Sequence, residues 1–229
     1  MKPIRKALHP AVWTIIGAAV FLLALSTFHV VSRFRSGELF TVDTSSTQDD
    51  DAATTALISS LWSANTDVRT DSEKRLIAFA QSSPPKRELV ISKLLSSVNA
   101  EKELDGKHNV LESSFLFWQS VTNIFAELDA KEAVAVLIRC VQCSNGFSGN
   151  MGEPPASYAL VLMGKPVLPA LSNALSQERD AYKRMKMVLC ISRIGGPEAI
   201  SYLEQTLQFE SHKDVREAIQ FNLAEMRSK

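Results

Sequence analysis

From Ala52 to the C-terminus, apolar residues recur at intervals of three and four between short polar breaks. No stretch keeps the period of two that a half-buried strand requires. The pattern predicts helices near 52–63, 67–81, 85–98, 109–128, 131–143, 155–163, 166–176, 180–194, 197–208 and 214–227. Their limits fall on Ser83-Pro84-Pro85, Asp105-Gly106, Asn145-Gly146 and Gly195-Gly196-Pro197, all punctuation that stops or starts helices. The stretch LVLMGKPVLPAL, Leu160–Leu171, is apolar yet holds Gly164, Pro166 and Pro169. It reads as a joint: Gly164 ends one helix, Pro166 sits in the first turn of the next, and Pro169 kinks that turn without breaking it.

The helices repeat. A shift of 32 residues lays Gly164 on Gly196, Leu171 on Leu203, Leu175 on Leu207 and Arg184 on Arg216. The same shift lays Met187 on Ile219, Ile191 on Leu223 and Ile194 on Met226. Fainter echoes lie upstream: KEAVAVL at Lys131–Leu137 resembles PEAISYL at Pro197–Leu203, and Val68-Arg69 matches Val215-Arg216. A period near 32 residues with two helices per unit implies stacked helical hairpins. The Gly-x-Pro joint, the Pro-Ala-Leu of the first helix and the Val-Arg that starts the second resemble HEAT-type repeats, particularly the short bacterial form related to phycobiliprotein lyase repeats. The likeness is specific over Met163–Met226 and weakens upstream, where the Gly-Pro joint is missing. It implies an all-α fold, a right-handed α-solenoid of about five HEAT-like helical hairpins over residues 52–229.

The N-terminal fifth has a different character. Residues 1–10 are basic, and Ala11–Val31 run for 21 residues without a charge. At about 1.5 Å per residue that length spans a bilayer core of about 30 Å. A buried soluble helix is disfavoured because the segment is apolar all round. A signal peptide cleaved after Ala24 and Ser26 is the next alternative. An uncleaved anchor is preferred, since the apolar run continues to Val31. Lys2, Arg5 and Lys6, with the amino terminus, outnumber Arg33 and Arg35, which orients the following domain to the extracytoplasmic side. Residues 32–51, rich in Ser, Thr and Asp, read as a flexible acidic tether. Its final Asp49-Asp50-Asp51 also suits the N-terminus of a following helix.

Charge and chemistry narrow the function. Formal net charge is zero, but residues 1–35 hold five bases and no acid. The remainder carries 20 basic against 25 acidic side chains, which argues against a nucleic-acid partner. Cys140 and Cys143 form a Cys-x-x-Cys at the end of a helix, where the dipole disfavours a thiolate. They read as packing residues, with a small disulfide as the alternative. No second pair exists to complete a zinc site. RDAYKRMKM gathers Arg179, Lys183, Arg184 and Lys186, either a solvated face or a patch for an acidic partner. The glycine-rich loop Ser144–Pro155 reads as a connector, with Phe147 and Met151 as candidate partner contacts. The apolar LESSFLFWQSVTNIFAELDA, Leu111–Ala130, reads as a helix buried between neighbours and not as an aromatic ligand groove. The paired His-Glu dipeptides of metal-dependent HEAT hydroxylases are absent, and no catalytic residue, metal or cofactor is implied. The expected function is a non-enzymatic, membrane-tethered scaffold that binds another protein. The alternatives are a lyase or enzyme-accessory protein resembling bilin lyases, and a secreted HEAT protein if the N-terminus is cleaved.

Overall fold

The computed structural model describes residues 47–104, 110–144 and 154–228. These lie in one of the chain's two compact units, Ser46–Lys229, and are all-helical apart from turns and a single bridge at Ser144. The basic segment, the anchor expected at Ala11–Val31, and residues 32–46 of the tether lie outside the described residues, as do Phe147 and Met151. Among the described residues no single helix is long and apolar enough to cross a membrane.

The helices are α1 Thr47–Ser60, α2 Thr66–Gln81, α3 Pro84–Ala100, α4 Glu112–Glu127 and α5 Val134–Arg139. They continue with α6 Pro155–Met163, α7 Leu168–Gln177, α8 Ala181–Ile194, α9 Gly196–Phe209 and α10 Lys213–Arg227. Short 3₁₀ turns at Lys102–Leu104, Lys131–Ala133 and Lys165–Val167 lie between them. Two limits differ from expectation. Helix α1 starts at Thr47, so the last five residues of the expected tether are helical. Asp50 and Asp51 reach Lys86 and Lys93 at 3.6 and 2.9 Å, which together with the dipole favours helix over tether. The helix expected over 131–143 is a 3₁₀ turn followed by the short α5, which ends before the cysteines.

Packing follows chain order. Helices α2, α4, α6, α8 and α10 form one layer, each touching the next. The other layer runs α1, α3, the Lys131–Ala133 turn with α5, then α7 and α9. Side chains between the layers make the core: Leu76, Leu94, Leu137, Leu160, Leu171, Ile191, Leu203 and Ile219 are all fully buried. Helix α4 sits between α2 and α6, and its Phe117, Trp118, Val121, Ile124 and Phe125 are fully buried. The buried-helix reading of that segment therefore holds. Leu111 is the exception; it precedes α4 and stays exposed. Trp62, beyond α1, closes over Phe117 with ring centroids 4.1 Å apart and planes 9° from parallel.

The joint at Gly164 turns the chain sharply: α6 and the helix from Lys165 to Gln177 make an angle of 108°. Gly164 has φ +69° and ψ −147°, a region essentially closed to other residues. Its counterpart is Gly195 at φ +72° and ψ −172°, not Gly196 as the 32-residue shift implied. Pro166 and Pro197 are 31 residues apart, while Leu171 and Leu203 are 32 apart. The Lys165–Val167 turn accounts for part of the difference. A 3₁₀ turn advances about 120° per residue against about 100° in an α-helix, so the turn makes up part of the rotation of the missing residue before Leu171. The α-helix starts only at Leu168, which puts Pro169 in its first turn, where no kink is needed. The joint before α5 has no glycine, and Asp129 takes the positive φ there at +44°.

Arginine closes three of the inter-helix turns in one way. Arg69, Arg184 and Arg216 each donate from Nη1 to the carbonyl six residues upstream, on Ser63, Glu178 and Glu210. Arg216 also reaches the Leu207 carbonyl, an orphan acceptor at the end of α9. The recurrent arginine of the repeat is thus a capping residue.

At Gly164 an added Cβ would meet nothing within 4 Å, so substitution there strains only the backbone. Gly164→Ala is expected to lower unfolding free energy by about 1–3 kcal/mol in urea titration of the full chain, with Gly196→Ala, a second positive-φ site, costing a comparable amount.

Candidate functional site

The basic cluster RDAYKRMKM lies across the α7–α8 connection and the first turns of α8. Asp180 caps that helix by accepting the Lys183 N–H at 2.8 Å. Lys183 Nζ is 2.9 Å from Glu178, and its side chain is 15% exposed. Burial alone would raise the Glu178 carboxyl; Lys183 and the N–H groups of Asp180 and Arg179 outweigh it and hold it below the ordinary carboxylate value. Arg184 meets Glu210 at 3.2 Å, with the carboxylate side chain only 4% exposed. Lys186 stands 5.0 Å over the Tyr182 ring. Arg179 is exposed. Of these four residues, read from sequence as either a solvated face or a patch for an acidic partner, Lys183 and Arg184 are engaged within the fold by carboxylates. The structure therefore does not present them as a common cationic face.

Arg184 and Glu210 also line a cleft of about 330 Å³. Leu175 from α7 and Tyr202, Gln205 and Phe209 from α9 are among its other lining residues. Phe209 stands at 86% exposure, the most solvent-facing large apolar side chain among the described residues. The ion pair that lines the cleft is neutral as a unit. Hydroxyls such as Thr206, which donates to the Tyr202 carbonyl at 2.9 Å, are turned toward their own helix. The lining thus offers shape and hydrogen-bonding groups.

Cys140, Cys143 and Cys190 are free thiols and fully buried. The Cys140 and Cys143 sulfurs donate to one acceptor, the Leu104 carbonyl, at 3.2 and 3.4 Å. The hydrogen bond with Cys140, together with burial, pushes the Cys143 thiol up. Cys190 faces the Ser157 carbonyl at 3.9 Å. The pair ties the Lys102–Leu104 turn to the end of α5, a packing role, and the disulfide alternative is not formed. Among the described residues no group of three His, Cys, Asp or Glu side chains is placed to hold a metal ion.

With this geometry in place, comparison with protein-family models, with curated proteins and with solved structures returned no match. Among the described residues, five exposed aromatic residues were not singled out by sequence: Trp62, Tyr158, Tyr182, Phe209 and Phe221. A usable signal existed for Phe221, because the repeat alignment lays it on Leu189, between two positions that carry core residues. Phe209, the last residue of α9, had no such signal.

The Arg184–Glu210 pair supports a stability prediction. Arg184→Met leaves a buried carboxylate without its partner and is expected to destabilise by on the order of 3 kcal/mol in urea unfolding of the full chain. Adding Glu210→Gln removes the stranded charge while keeping an acceptor for the His212 N–H, and should recover most of that loss. Equal stability of the Arg184→Met and double variants would contradict a stranded carboxylate as the cause of the loss.

Proposed function

We propose that the chain is a membrane-tethered scaffold that binds another protein, and that residues 47–228 form a HEAT-like right-handed α-solenoid of about five hairpins. The observation that carries this reading is the packing order. Each helix makes its main contacts with helices one or two places away in the chain, the arrangement expected of a solenoid. A stack of this kind lengthens by repetition and exposes a long face, which suits recognition of a macromolecule. The polar groups support the same reading. Arg69, Arg184 and Arg216 close turns, and Cys140 and Cys143 hold the Leu104 carbonyl. The groups that sequence offers as candidate chemistry are thereby given structural work.

Ala11–Val31 supply the membrane attachment in this proposal, with the helical domain on the extracytoplasmic side. The test is crosslinking in native membranes followed by mass spectrometry. The expected result is a recurrent protein partner joined to residues within 47–228, together with intact peptides from residues 1–26. Recovery of no partner, alongside turnover by the purified chain, would overturn the scaffold reading. Loss of residues 1–26 would overturn the anchor.

A further inference from the structure

We infer that the cleft between α7 and α9 is a binding site for a neutral saccharide, a ligand with many hydroxyl donors and a flat apolar ring face. This goes beyond the scaffold reading above and does not depend on it. The cleft measures about 330 Å³, at the small end of the range of ligand pockets. Its lining sets two aromatic rings, Tyr202 and Phe209, beside the Arg184–Glu210 pair and a group of hydroxyl and amide side chains.

The polar lining is weighted toward acceptors. Thr206 donates its hydroxyl proton to the Tyr202 carbonyl at 2.9 Å, and Ser176 donates to the Asn173 carbonyl at 2.7 Å. So bonded, each oxygen has only lone pairs to offer a ligand. Gln205 holds the Ser201 hydroxyl through Nε2 at 3.3 Å and has Oε1 left to accept. Glu210 is only 4% exposed, and its Oε1 takes both the His212 N–H at 2.8 Å and Arg184 at 3.2 Å. Its Oε2 is the atom that remains for a ligand's donor. Arg184, the cation of the lining, is turned on Glu210 and on the Glu178 carbonyl. The hydroxyls of Ser172 and Ser211 can serve either way.

This balance selects the chemistry of the occupant. An anion meets the Glu210 carboxylate and the oxygen lone pairs, with Arg184 already neutralised. A cation meets Arg184 in the same wall. An apolar ligand strips water from Glu210 and gives it no donor in return. A neutral polyol supplies donors to these acceptors, and its hydroxyl oxygens accept from whatever donor is left. A pyranose with equatorial hydroxyls carries them at its rim and shows C–H groups on its faces. Phe209, at 86% exposure, has a ring that such a face can cover, and the contact removes apolar surface of both from water.

The test titrates the full chain in phosphatidylcholine nanodiscs with cellobiose, whose ring hydroxyls are equatorial, and reads binding by calorimetry and by saturation transfer to the sugar protons. Saturable binding is expected, with transfer strongest at the axial ring protons that face the aromatic side chains. Glucuronate and the neutral peptide acetyl-triglycine amide are the comparison ligands, each expected to bind more weakly by about tenfold. Phe209→Ala should weaken cellobiose binding by about tenfold. Thr206→Val keeps the side chain's shape and removes one acceptor, and should weaken it by about fivefold. An unchanged unfolding midpoint in each variant verifies that the fold is retained.

Absence of saturable cellobiose binding, or binding unchanged in Phe209→Ala or in Thr206→Val, would overturn the proposal. Equal or tighter binding of glucuronate would assign the cleft to an anion, and equal or tighter binding of the peptide would assign it to a polypeptide; either result also overturns it. Failure here is distinguishable from failure of the scaffold reading, which crosslinking in native membranes decides without reference to this cleft.

Discussion

Burial of each helix's apolar stripe by the next hairpin is the constraint on which the rest of the structure depends. A pair such as α9 and α10 is too small to cover Leu203, Val215, Ile219 and Leu223 by itself, yet all four are buried. Their cover comes from α8 on one side and from each other on the other. Full burial of one such side chain is worth about 1.5–3 kcal/mol, so neighbouring hairpins are coupled by several kilocalories through a handful of residues. The polar features serve this stacking. Glycine or aspartate at positive φ sets the corner angle, and arginine satisfies carbonyls that the corner leaves without helix partners.

The same constraint separates side chains committed to packing from exposed ones. A side chain that faces a neighbouring hairpin is committed to packing, which is why the thiols of Cys140 and Cys143 and the aromatic residues of α4 are fully buried. A side chain on the open side of a layer has no such commitment. Tyr158 and Phe221 occupy that side at corresponding positions, and their exposure is compatible with the fold because the core lies on the opposite side of the same helices.

Much of the fold was legible in the sequence because helical period and corner residues are local signals. Predicted limits for α6 and α8 agree with the structure to within a residue, since Pro155, Gly164, Asp180 and Gly195 mark them without tertiary help. The corner at Asp129 was not legible. Aspartate reaches positive φ only where surrounding packing requires it, and nothing in its neighbours says so. Nor was the single-residue offset between the Gly164 and Gly195 joints, because it depends on a 3₁₀ turn that pattern counting treats as α-helix. At the candidate site the basic residues were visible in the chain but their partners were not. Glu178 and Glu210 neutralise Lys183 and Arg184 across a turn and across a hairpin, contacts that periodicity does not encode.

Native-state hydrogen exchange on the full chain, compared between wild type and Leu223→Ala, tests neighbour-only stacking most directly. Removing the buried leucine from the last helix should speed exchange most in α9 and α10, less in α7 and α8, and hardly at all in α1–α4. A uniform loss of protection from α1 to α10 would contradict the account, because it would show a single cooperative core in place of coupled hairpins.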